Sequence, residues 1–77
     1  MTKKELIKEL ERNNVDKSLY DFENGHGFFD DQFLLNKESN TYIIYYLERG
    51  KKNKIKSFSS EEKANNYFLE LLLNYKD

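Results

Sequence analysis

Apolar positions recur with two different periods along this chain, and the change of period divides it into elements. Leu6, Ile7 and Leu10 fall on one stripe at helical spacing, with Lys and Glu opposite, which predicts a helix over residues 2–13. Thr2 and Glu5 have capping-box spacing. Asn13-Asn14 supplies the stop, because Asn tolerates left-handed backbone. Residues 15–22 fit no single period, although Leu19-Tyr20-Asp21-Phe22 suits a short edge strand. Glu23-Asn24-Gly25-His26-Gly27 reads as a loop. A strand over residues 31–37 puts Phe33 and Leu35 on one face and Leu34 on the other. Residues 36–40 read as a polar turn. Residues 41–49 and 54–58 then read as paired strands.

The run Tyr42-Ile43-Ile44-Tyr45-Tyr46-Leu47 is apolar at both parities. Its β-branched and aromatic residues suit a pleated sheet, and neither face reads as wet. A three-residue tip, Gly50-Lys51-Lys52, would pair Arg49 with Asn53, Glu48 with Lys54, Tyr46 with Lys56 and Ile44 with Phe58. That register sets an ion pair and an apolar pair on one face. The other face would carry Ile43, Tyr45, Leu47 and Ile55. An even loop pairing Glu48 with Ile55 is less favourable.

The last element is a helix opening at Ser59-Ser60-Glu61-Glu62, where acidic residues complement the helix dipole. Ser59 and Glu62 have capping-box spacing. Its apolar face is Ala64, Tyr67, Phe68, Leu71, Leu72 and Tyr75, with Leu69 and Leu73 off the stripe and partly exposed. The expected fold is one α+β domain over residues 1–77, in the order α-β-β-β-α. It has two layers: an antiparallel three-stranded meander, four-stranded if residues 19–22 join it, packed on two helices. Both helices on one face would leave the other sheet face open as a contact surface.

Composition narrows the chemistry. A chain of 77 residues buries a modest share of its surface, and 12 aromatics compensate with large area per residue. The absence of cysteine excludes disulfides and thiolate metal sites, and a single histidine excludes a multi-histidine site. No cofactor is implied. Met1-Thr2-Lys3-Lys4-Glu5 is not followed by an apolar run, and the longest such run spans six residues. Neither a secretory signal nor a membrane span is expected, which points to the cytoplasm.

Net charge is −1, but charge is segregated. Asp16, Asp21, Glu23, Asp30, Asp31 and Glu38 face only Lys17 and Lys37 across residues 16–38, whereas Arg49, Lys51, Lys52, Lys54 and Lys56 follow with no acid among them. Either segment suits a charge-steered interface, and either also suits a merely solvated face. His26, with Asn24, Asp30 and Asp31, holds groups a hydrolase uses, but no nucleophile accompanies it, so an enzyme is not expected. Asp30-Asp31 lacks a third ligand for a cation. Phe28-Phe29 sends one ring to each side of an extended chain. The basic hairpin beside tyrosines suits nucleic acid, against which stands the slightly acidic whole.

The segment YYLERGKKNKIKSFSSEEKANNYFLELL resembles small bacterial immunity proteins that accompany polymorphic toxins, and is most similar to immunity protein family fifty-nine. Tyr45, Tyr46, Glu48, Arg49, Gly50, Phe58, Glu61 and Glu62 carry the likeness, together with TKKELIKEL near the start. Asn65, Asn66 and the GHGFFDD loop depart from it. The resemblance implies a non-enzymatic inhibitor that binds and blocks a cognate toxin. Expected contacts are the basic hairpin, the acidic residues Asp21, Glu23, Asp30 and Asp31, or Tyr45 on the sheet. The acidic set suits a nuclease toxin, where it would mimic phosphate, and the basic set suits an acidic toxin surface. A phage-encoded inhibitor of a host defence enzyme and a small nucleic-acid-binding module over residues 49–56 are the alternatives. An adaptor using the open face and Leu69/Leu73 is a further one.

Overall fold

The computed structural model describes residues 1–22 and 31–75. It shows helix α1 (Lys3–Arg12), a single 3-10 turn (Lys17–Leu19), strands β1 (Tyr20–Phe22), β2 (Gln32–Glu38), β3 (Thr41–Glu48) and β4 (Lys51–Phe58), and helix α2 (Glu61–Tyr75). Two helices pack against a four-stranded sheet of order β1-β2-β3-β4. Among the described residues no helix is long and apolar enough to cross a membrane.

Local signals set the start of the chain. The Thr2 amide donates to Glu5 Oε1 at 2.8 Å and the Glu5 amide to Thr2 Oγ1 at 3.2 Å, closing the capping box. The Thr2 amide, and after it the Thr2 side chain, favour ionised Glu5 and lower its pKa. Asn13 caps the other end, its side chain donating to the Glu9 carbonyl at 2.7 Å, and Asn14 takes the left-handed conformation (φ 56°). Asp16 then caps the 3-10 turn by accepting from the Ser18 amide.

The sheet is mixed where a purely antiparallel meander was expected. β1 joins as a fourth strand and pairs parallel to β2, with Tyr20 beside Phe33 and Phe22 beside Leu35. Tyr20 and Phe22, two residues apart, share one face of the strand. Parallel pairing sets both rings on the helix side, where Phe22 lies 5.9 Å from Phe68. β2, β3 and β4 form the expected antiparallel meander.

The β3–β4 register also differs from expectation. The turn is two residues, Arg49-Gly50, with φ of 51° and 78°. Two successive left-handed residues make the tight turn whose twist matches flanking strands, and Gly at the second position removes the steric penalty there. Glu48 therefore pairs with Lys51 rather than Lys54, Tyr46 with Asn53, and Tyr42 with Phe58. A bulge at Ile55 absorbs one residue between the Tyr45–Lys54 and Ile44–Lys56 pairs. β2 and β3 are joined by Ser39-Asn40, with Ser39 at φ 57°.

Leu6 and Leu10 of α1 and Ala64, Phe68 and Leu72 of α2 meet Tyr20, Phe33, Leu35 and Ile44 in one core, with Val15. Three further corrections concern burial and capping. Ser60, not Ser59, caps α2, its hydroxyl accepting from the Lys63 amide at 3.3 Å. The buried face of α2 is Ala64, Asn65, Phe68 and Leu72, while Tyr67 and Leu71 are half-buried and Tyr75 is exposed. Asn65 is buried because its side chain donates to the Met1 carbonyl at 2.8 Å, tying the chain start to α2. Finally, the second sheet face is not an open apolar surface: Leu34 is 0% exposed, and Ile43 and Leu47 are buried. Strands apolar on both faces are those buried on both faces. Part of their cover is the half-buried Tyr45 ring, which stands opposite Leu34 and lies under the Lys52 ammonium.

Phe68 is wholly enclosed at the centre of the core. Phe68→Ala is expected to cost about 3–5 kcal/mol and Leu72→Ala about 2–5 kcal/mol. Half-buried Leu71→Ala should cost clearly less. Urea unfolding of the three variants checks the order, and a Leu71→Ala loss equal to that of Phe68→Ala would contradict the assigned face.

Candidate functional site

The hairpin geometry builds a groove on the helix side of the sheet, beyond the last turn of α2. Its volume is about 840 Å³. Phe33, Tyr46, Ile55 and Tyr75 form its apolar lining, and Glu48, Arg49, Lys51 and Asn53 its polar rim. Each position follows from register. Phe33 pairs with Tyr46 across β2 and β3, so both project to the helix side, their ring centroids 4.8 Å apart. Tyr75 meets the Phe33 ring edge-on at 5.1 Å. Glu48 and Lys51 face each other across the turn. The two-residue turn puts Ile55 in the groove, on the same side as Lys51 and Asn53, where the expected register would have sent it to the other face.

Among the described residues, the large hydrophobic side chains left exposed are Ile55 (37%) and Tyr75 (45%), and both line this groove. Scattered exposed apolar residues mean little, whereas two converging on aromatic walls make a contact patch.

Asp31 anchors the groove from behind. Its backbone is left-handed (φ 61°), its amide donates to the Leu47 carbonyl at 2.8 Å, and its carboxylate accepts from the Tyr46 hydroxyl at 2.7 Å. That hydrogen bond, reinforced by desolvation and by the Tyr75 side chain, pushes the Tyr46 hydroxyl pKa well above its usual value. Asp31 is therefore engaged in structure through one carboxylate oxygen while the residue stays exposed. Tyr45, on the opposite face, donates to Glu38 at 2.7 Å, and this bond raises its pKa.

The expected basic patch is divided. Arg49 and Lys51 sit at the groove rim, and Lys56 reaches over the Tyr67 ring of α2 at 5.6 Å. Lys52 and Lys54 pair with Leu47 and Tyr45 and so project to the second face, with Lys52 over Tyr45 at 5.4 Å. What these side chains share is the outer edge of β4, not one face. Asp21 lies on β1 and accepts from the Phe22 amide at 2.7 Å. Glu23, Asn24, Gly25, His26, Gly27, Phe28, Phe29 and Asp30 lie outside the described residues. Among the described residues no three His, Cys, Asp or Glu side chains gather as a metal site.

Sequence reasoning did not single out Phe33, Ile55 or the Asp31–Tyr46 bond for the site. The missing signal was Arg49-Gly50 read as a two-residue turn, which alone shifts β4 into place. The buried amides Gln32, Asn36 and Asn65 also went unread. Gln32 donates to the Tyr20 carbonyl at 3.5 Å, but its Oε1, like Asn36 Oδ1, has no hydrogen-bond partner among the described residues.

The Tyr46–Asp31 bond predicts an alkaline response. A folded-state pKa above the unfolded value of about 10 means that protonated Tyr46 stabilises the fold fully below about pH 10. The contribution is lost as pH rises toward the folded pKa. Stability measured by urea unfolding should begin to fall above about pH 10 and keep falling as pH rises further, and the fall should be shallower in Tyr46→Phe. Parallel curves for the two proteins would show that the bond does not persist in solution.

Set against known proteins, the chain matches no family model, no curated protein and no solved structure.

Proposed function

We propose that this protein is a small inhibitor that acts by binding a protein target, in the manner of an immunity protein against its toxin. The observation that carries the reading is the convergence of Ile55 and Tyr75 on the groove formed with Phe33 and Tyr46, beside the charged turn. An apolar centre with a charged rim is the anatomy of a protein-binding patch, where aromatic anchors supply affinity and rim charges steer approach. The resemblance to toxin immunity proteins lends support to the inhibitor class, since Tyr46, Glu48 and Arg49 of that segment line this groove. Occupancy rather than turnover would be the mode of action, in the cytoplasm. A host defence enzyme as the target would use the same surface.

Nucleic-acid binding is the weaker reading. The tyrosines beside the lysines are not free stacking platforms: Lys52 covers Tyr45, and Lys56 covers Tyr67. The lysines also project to both sides of the sheet rather than lining one backbone-tracking channel.

Co-expression with the product of the neighbouring open reading frame, followed by co-purification and a growth-rescue assay, tests the proposal. Tyr75→Ala combined with Ile55→Ser should cost some stability through the lost Phe33 contact but leave the protein folded, and should weaken target binding at least about tenfold. Replacing Lys51, Lys52 and Lys54 by Ser should slow association and flatten its salt dependence. A target that binds both variants like the parent protein would move the interface elsewhere, and no target at all would sink the inhibitor role.

A further inference from the structure

β4 ends the sheet and is its most exposed strand. Residues 51–57 are all exposed, and among the described residues no strand lies beyond it. In an antiparallel ladder about half of an edge strand's N–H and C=O groups point outward, away from their neighbour. At about 3.4 Å per residue, eight residues present an edge of about 27 Å. The opposite edge, β1, has three residues. β4 is thus the one long free ladder among the described strands.

Its charge is of one sign. Lys51 and Lys56 project to the helix side, Lys52 and Lys54 to the other, and no acidic residue stands among them. Lys51, Lys54 and Lys56 form no ion pair with any described residue. A strand added to this edge would send alternate side chains to the two faces and meet a lysine on either. A second copy's β4 would set lysines against lysines, which is unfavourable on both faces. Edge lysines are a known guard against self-pairing, and the same field favours a strand of opposite charge. The bulge at Ile55 interrupts the ladder, leaving residues 51–54 as the regular arm, directly beside the groove.

Resting on the binding role proposed above, we infer that the protein partner adds a strand bearing acidic side chains to the β4 edge along residues 51–54. An adjacent apolar side chain of that strand seats between Ile55 and Tyr75. Backbone pairing supplies the affinity of such strand addition, and the flanking side chains supply its selectivity.

The test uses the full chain, isotope-labelled for amide NMR, and three capped eight-residue peptides. One alternates glutamate and valine, the second is the same peptide with every backbone nitrogen methylated, and the third has lysine for glutamate. The glutamate peptide is expected to bind at submillimolar concentration and to slow hydrogen exchange of outward amides in residues 51–54. Backbone methylation should weaken it at least about tenfold, and the lysine peptide should not bind. In Lys51→Glu/Lys54→Glu, at two exposed positions, the preference should reverse. Four results overturn the inference: no glutamate-peptide binding at millimolar concentration, equal binding of the methylated peptide, protection confined to other strands, or tighter binding of oligothymidylate without amide protection. A target that co-purifies yet leaves the β4 amides unprotected keeps the inhibitor role and rejects strand addition. Peptide protection without any co-purifying target does the reverse.

Discussion

Everything in this molecule depends on one apolar contact, the packing of Phe68 and Leu72 of α2 against Leu35 and Ile44 with Leu6 and Leu10 of α1 closing it. A chain this short has few residues to spare, and without cysteines it has no covalent staple. Stability must come from a compact helix-on-sheet layer with aromatics at its centre. The parallel addition of β1 serves the same layer by bringing Tyr20 and Phe22 to it, and the Asn65 bond to Met1 fastens the chain start over it.

That core holds β3, and β3 carries the hairpin. The left-handed pair Arg49-Gly50 then determines what β4 presents. Shifting Glu48 from Lys54 to Lys51 moves Ile55 into the groove with Tyr75, and the bulge then sends Lys56 to the helix side while Lys52 and Lys54 keep to the other. The candidate surface is thus a consequence of turn chemistry more than of composition. Asp31 stiffens it, because its amide caps the end of β3 while its carboxylate fixes the Tyr46 ring that forms one wall.

Electrostatics and apolar contact are adjacent here, and they have different roles. Exposed lysines in high dielectric contribute little to the stability of the fold. They act at longer range, raising the encounter rate with acidic surfaces and discouraging self-pairing of the edge. The proposed apolar groove would act only at contact, where desolvating Tyr75 and Ile55 would reward a complementary side chain.

The sequence by itself determined what is local. The Thr2–Glu5 capping box, the Asn13-Asn14 stop, the helix around Phe68 and the strands carrying Phe33, Leu35 and Ile44 were legible. In each case the signal lies within one turn or one alternation of the element it specifies. The α+β class follows from their order. Tertiary structure decided the rest: the parallel pairing of β1, the two-residue turn, the burial of Leu34 on the second face, and the convergence of Ile55 with Tyr75. The physical reason is that these depend on relations between strands. The apolar alternation of β3 is satisfied on both faces, so it does not choose a register. The choice passes to backbone strain at Arg49-Gly50 and to packing partners distant in the chain, whose meeting no local pattern encodes.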